Sequence, residues 1–183
     1  MINPKNVKRI ARIREEENSA FRAFLKEDAN QELFDKKVNL LHRELFANYD
    51  CSKCRNCCKE FYGSIPVEDI EQDAKYLKMV AEEFKRKFLQ QDENEEGFST
   101  RHKPCDFLQP DGNCLLGECR PRSCKEYPHT DKPGRIESLL SMLENAEICP
   151  VVYEIIERLK QDPDYEAFDK KYVEKFRKMM RQW

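Results

Sequence analysis

Asp50-Cys51-Ser52-Lys53-Cys54-Arg55-Asn56-Cys57-Cys58-Lys59 carries four thiols in eight residues, in the order C-x2-C-x2-C-C. All nine cysteines of the 183-residue chain fall between Cys51 and Cys149, and the sequence on either side reads as charged helix. Thiolates are soft ligands that select zinc, iron–sulfur clusters or copper(I). A C-x2-C step lets two sulfurs reach one metal, and Cys51–Cys54 and Cys54–Cys57 are two such steps. On a regular helix Cys51, Cys54 and Cys58 share a face, because offsets of three and seven return to it. Cys57 then points about 100° away from Cys58. Unless the segment is irregular, the two adjacent thiols are expected to play different roles.

Working outward, Asn3-Pro4 reads as a helix start, with Asn as cap and Pro at the first helical position. Apolar residues then recur at helical spacing through Val7, Ile10, Ile13, Phe21, Phe24, Leu25, Leu33, Phe34, Val38, Leu41, Leu45 and Phe46, with a break near Asp28 to Asn30. Glu15 to Glu17 read as a solvated face. Beyond the octet, Ser64 is the expected cap of a helix whose stripe runs Ile70, Ala74, Leu77, Val80 or Ala81, Phe84 and Phe88, to about residue 91. Residues 91 to 100 read as a loop. From about 100 to 135 the chain is rich in turn residues, among them Gln109-Pro110-Asp111-Gly112-Asn113. So long a loop inside a compact domain requires a restraint, and Cys105, Cys114, Cys119 and Cys124 lie in it. Helix resumes near Glu137, is interrupted at Cys149-Pro150, and continues from Val151 to Leu159. A last amphipathic helix carries Tyr165, Phe168, Tyr172, Phe176, Met179 and Met180. The expected fold is mainly α, with helices around an irregular cysteine-rich metal-binding loop region. The expected organisation is a helical segment over 1–49 packing on the domain, a cysteine-cluster metal-binding domain over 50–160, and a C-terminal helix over 161–183.

Hydrophobic residues make up 39% and charged residues 37% of the chain, with 33 basic and 35 acidic side chains interspersed. No basic stripe stands out, so no nucleic-acid partner is expected. No apolar run approaches the ~20 residues needed to span a bilayer, so no membrane partner is expected. The N-terminus lacks a signal-peptide apolar core, which points to the cytoplasm. Thiols stay reduced there, and an odd count of nine suits metal ligands better than complete disulfide pairing.

Two metal readings stay open. Structural zinc takes four ligands, usually from two C-x2–4-C knuckles, but the distal cysteines form no second clean knuckle. A [4Fe–4S] cluster suits C-x2-C-x2-C with a remote Cys-Pro, here Cys51, Cys54, Cys57 and Cys149-Pro150. Among the histidines, His102 has ligand-like spacing to Cys105, His129 follows Tyr127-Pro128, and His42 sits within a helix; all three read as ordinary. Arg120 and Arg122 either stabilise thiolate charge, bind an anion, or simply pair with Glu118 or Glu126. No glycine-rich phosphate loop, G-x-S-x-G or H-E-x-x-H is found.

Cys51-x2-Cys54-x2-Cys57-Cys58, Pro104-Cys105-x-Phe107-Leu108, Cys114, Arg120-Pro121-x2-Cys124-x2-Tyr127-Pro128 and Cys149-Pro150 together resemble the CxxCxxCC, or YkgJ-type, cysteine-cluster family. The resemblance covers roughly residues 50 to 160 and implies zinc or iron chelation. It implies metal ligands at Cys51, Cys54, Cys57, Cys58, Cys105, Cys114, Cys124 and Cys149, and leaves Cys119 as a spare thiol. Leu116-Gly117 and Lys125 depart from the family's pattern. The function expected is that of a cysteine-cluster protein holding an iron–sulfur cluster or zinc. The alternatives are an iron–sulfur oxidoreductase, a protein-modifying enzyme of the methylase kind, or a zinc-folded module whose outer helices, with Met179, Met180 and Trp183, bind a protein the sequence does not name.

Overall fold

The computed structural model of the chain describes residues 1–27, 29–91, 97–163 and 165, and its fold is mainly helical, as the periodicity predicts. The chain divides into two units, Met1–Tyr49 with Pro128–Trp183, and Asp50–Tyr127. The stretch from 128 to 160 groups with the helices on which its apolar residues pack, and not with the cysteine octet.

In the helical unit, α1 spans Val7–Ile13, α2 Glu15–Glu27 and α3 Gln31–Phe46. Asn3 caps a turn, not α1: its Oδ1 accepts from the Lys5 N–H at 2.9 Å, and the helix begins at Val7. Asn30 does cap α3, accepting from the Leu33 N–H at 3.0 Å, which accounts for the break before it. Later in the same unit, helices cover Leu139–Ala146 and Pro150–Leu159, the second with Cys149 as its N-cap and Pro150 in the first turn. Val7, Phe21, Val38, Leu139, Val151, Val152, Ile155 and Ile156 are buried here, whereas Ile13 and Leu33 face solvent despite their helical spacing. Tyr165 packs edge-on to Phe21 at 4.9 Å. The remaining apolar positions of the expected C-terminal helix, and Trp183, lie outside the described residues.

The cysteine unit opens with two very short helices, α4 (Cys51–Cys54) and α5 (Asn56–Glu60). The single helix expected to run to residue 91 is two, α6 (Ile70–Tyr76) and α7 (Ala81–Phe88), broken where Lys78 takes φ 56°. Ser64 lies in a strand and caps no helix. Strands β1 (Ser64–Ile65), β2 (Leu89–Gln91) and β3 (Phe98–Thr100) form an antiparallel sheet in the order β1-β3-β2, with Ser64 opposite Ser99 and Leu89 opposite Thr100. Strands of two or three residues are too short to show an alternating pattern. The chain then passes a 3₁₀ turn at Gly117–Cys119 and α8 (Arg122–Glu126); the helices already given as Leu139–Ala146 and Pro150–Leu159 are α9 and α10.

This unit has its own apolar core of Ile65, Ile70, Ala74, Phe84, Phe88, Leu89, Phe107 and Leu116. Phe107 lies parallel to Phe84, with ring centroids 5.8 Å apart, and 5.0 Å from Phe88. Two side chains of the long irregular stretch, Phe107 and Leu116, are thus plugged into the helices, each burial being worth about 1.5–3 kcal/mol. That stretch is held by apolar contacts as well as by whatever its cysteines bind.

Candidate metal centre

The octet is irregular, and one residue makes it so. Asp50 caps α4, its carboxylate accepting from the Ser52 N–H at 2.9 Å and from the Ser52 hydroxyl at 2.5 Å. After one turn Arg55 adopts the left-handed conformation, φ 53° and ψ 23°, closing α4 through its N–H to the Cys51 carbonyl and opening α5. A non-glycine residue held there costs of order 1 kcal/mol or more. The reversal reorients the second pair of thiols relative to the first, so the face arithmetic of one continuous helix does not apply. The Cys57 and Cys58 sulfurs lie 3.9 Å apart. Two sulfurs bound to one tetrahedral ion at ≈ 2.3 Å are separated by about 3.8 Å. The segment is thus irregular, the alternative under which the two adjacent thiols need not diverge, and their sulfurs are spaced as one edge of a single-ion site would be.

Four thiols from distant parts of this unit, Cys58, Cys105, Cys114 and Cys124, line one cavity of ≈ 30 Å³ together with Arg55 and Arg120. The Cys105 N–H donates to the Cys58 carbonyl at 2.8 Å, fixing the first of these crossings. The predicted turn is present: the Gly112 N–H donates to the Gln109 carbonyl, and Leu108 bridges to Cys114 behind it. Gly112 has φ +85°, and a Cβ there would come within 2.8 Å of the Ser52 carbonyl oxygen, so only glycine lets the turn lie on α4. The cavity has room for an ion or a water and is far below the ~300–1,000 Å³ of an organic-ligand pocket.

Charge is distributed unevenly over these thiols. Burial pushes Cys105 up to about 11 and raises Cys51, Cys114 and Cys124 above the ordinary thiol value. Cys58 is drawn down to about 6, first by its contact with the Cys57 sulfur and then by the charges of Arg120, Arg55 and Lys59, which outweigh its burial. Cys58 is thus the thiol of this group most readily held as thiolate, beside neighbours whose protons are held more tightly. Among the described residues, no group of three or more His, Cys, Asp or Glu side chains is arranged to hold a metal ion as it stands. The Cys57–Cys58 edge is the assembled part, and the donor chemistry of the other cavity thiols suits the same ion.

The remaining candidates fall elsewhere. Cys51 is exposed and Cys54 buried on α4, and all nine cysteines are free thiols. Cys149 lies in the helical unit, buried at the start of α10. Cys119 packs against the apolar core and accepts from Gln72 Nε2 at 3.6 Å. His102 is exposed and bound through Nδ1 to Asp106 at 2.6 Å, and His42 is 2.7 Å from the Thr130 hydroxyl. Arg122 pairs with Glu126 at 2.5 Å, the ordinary reading, whereas Arg120 donates to the Cys124 carbonyl at 2.7 Å. Two residues that the spacing does not single out also matter. Arg55 stands midway between the two C-x2-C steps, where the reversal occurs. Asp73 stands at a gap in the α6 apolar stripe and is 1% exposed.

A family model described as "CxxCxxCC: Putative zinc- or iron-chelating domain" matches residues 50–150, just over half of the chain. No curated protein and no solved structure matches.

Proposed function

The chain belongs to the CxxCxxCC family, and on that premise we propose that the unit Asp50–Tyr127 binds a single zinc ion through thiolates, with Cys57 and Cys58 as one edge of its tetrahedron. The 3.9 Å between their sulfurs carries this reading. In a [4Fe–4S] cluster each thiolate takes a separate iron, so two ligand sulfurs do not form an edge of one metal's coordination shell. Two of the three thiols Cys105, Cys114 and Cys124, which line a cavity with Cys58, would complete the set. Cys58, with its lowered value, would serve as a thiolate ligand, and the thiols raised by burial would have to lose their protons to the bound ion.

Thiols on α5 and on the stretch from 101 to 126 would hold the ion, which would tether these segments in addition to the apolar anchors Phe107 and Leu116. Its role is to close and fold this unit. Protein purified without oxygen is expected to be colourless and to carry stoichiometric zinc. Brown protein with broad visible absorption, containing iron and acid-labile sulfide, would overturn the single-ion reading. Iron without sulfide would keep the geometry and change the ion.

A further inference from the structure

We propose that Arg55 and Arg120 are the charge-compensating residues of the thiolate centre, their two guanidiniums offsetting the net charge of a divalent ion held by four thiolates. This rests on the reading that such an ion is bound. Four thiolates and a dication sum to −2, and two guanidiniums bring the cavity to neutrality. A half-buried centre at −2 is favoured by cations standing beside it.

The placement of both arginines fits that task. Each lines the cavity that Cys58, Cys105, Cys114 and Cys124 share. Neither has an acidic partner in an ion pair among the described residues. Arg122, two positions from Arg120, shows the ordinary arrangement: its side chain is 84% exposed and pairs with Glu126. Arg120 is instead fastened by Nη2 to the backbone carbonyl of Cys124, so its charge is fixed beside that thiol. Arg55 is held at its backbone by the left-handed turn between α4 and α5. Its Nε is buried and has no hydrogen-bond partner, which leaves one donor free for a thiolate. The left-handed backbone that carries Arg55 to the cavity wall and its buried, unpartnered donor share one explanation if the negative charge arrives with the metal-bound thiolates.

The test is zinc affinity measured by competition with a chromophoric chelator, on the full chain, for R55M, R120M, R55K, R120K and R122M. Each Met variant is expected to weaken zinc binding by about 10–100-fold, the usual effect of removing a group that supports metal ligands. The Lys variants should recover most of that loss, and R122M should match the parent. Cobalt-loaded Met variants should keep the thiolate-to-metal charge-transfer and ligand-field bands of the parent, since no ligand has been removed. Met variants that bind zinc as tightly as the parent would overturn the proposal. So would Lys variants as weak as the Met variants, or a cobalt spectrum altered in the Met variants, because either points to a role in shape. If a Met variant does not fold, the Lys variants against R122M still decide between charge and packing. A parent chain that binds neither zinc nor cobalt would instead sink the metal reading itself and this proposal with it.

Discussion

Replacing Asp73 by Asn should stabilise the protein at neutral pH and do almost nothing at pH 4. Asp73 lies in α6 with 1% of its surface exposed, and neither carboxylate oxygen has a hydrogen-bond partner. Burial, helped by the like charge of Asp69 and opposed by Lys125, pushes its carboxyl from 3.8 up to about 6. A folded-state value above the unfolded one means the folded chain binds the proton more tightly. The stabilising proton is therefore fully in place below about pH 4 and lost as pH rises through 6. Linkage sets the loss at no more than about 3 kcal/mol. The cost of leaving one buried polar group unsatisfied, about 1–3 kcal/mol, falls in the same range. D73N keeps the shape and removes the ionisation, so it should gain about 1–2 kcal/mol over the parent at pH 7.5. Urea unfolding followed by far-UV circular dichroism, with both proteins at the same total zinc, measures the gap at each pH; the two chains carry the same cysteines, so the pH dependence of metal binding enters both alike. Equal stabilities at pH 7.5, or a gap of the same size at pH 4 and 7.5, would refute the reasoning.

Three further outcomes follow from the same geometry. C57S and C58S should each abolish stoichiometric zinc, whereas C119S should retain it, because Cys119 faces the apolar core; zinc content by elemental analysis checks this. G112A should lower stability by about 1–3 kcal/mol in thermal unfolding, and weaken zinc binding, because it strains a left-handed residue and drives a methyl into the Ser52 carbonyl. N30A should cost about 1 kcal/mol through loss of the α3 cap, with zinc affinity unchanged, as read by unfolding and chelator competition.

The sequence made the helical unit legible because its information is local. Asn30 caps α3 through its own side chain, Pro150 opens α10, and the apolar spacings between them repeat at the helical period. The cysteine unit was readable only in part. Ile70, Ala74, Phe84 and Phe88 are buried as their spacing predicts, yet the run between them turns at Lys78, a residue with no intrinsic preference for positive φ. The short strands carry no period to detect. Ser64 reads as a cap because serine caps helices often, but here its strand pairing with β3 decides. Asp73 stands where the stripe has a gap, and a charged residue at a gap reads as solvent-facing; its burial comes from the packing of α6 and is not legible in the spacing.

The octet shows why a list of ligands does not specify a site. Cys51, Cys54, Cys57 and Cys58 are fixed in sequence, but which sulfurs meet depends on the backbone between them. A continuous helix would separate Cys57 from Cys58 by about 100°, and the single left-handed residue Arg55 removes the premise of that arithmetic. Propensity alone would not place arginine there, since glycine or asparagine enters that conformation at lower cost. Glycine would give the turn and no charge; asparagine would give the turn and a short neutral side chain. Arginine gives the turn at higher cost and brings a guanidinium to the cavity wall. Local strain and placement of charge are thus joined in one residue, which is why neither the turn nor the cation was visible from the cysteine spacing.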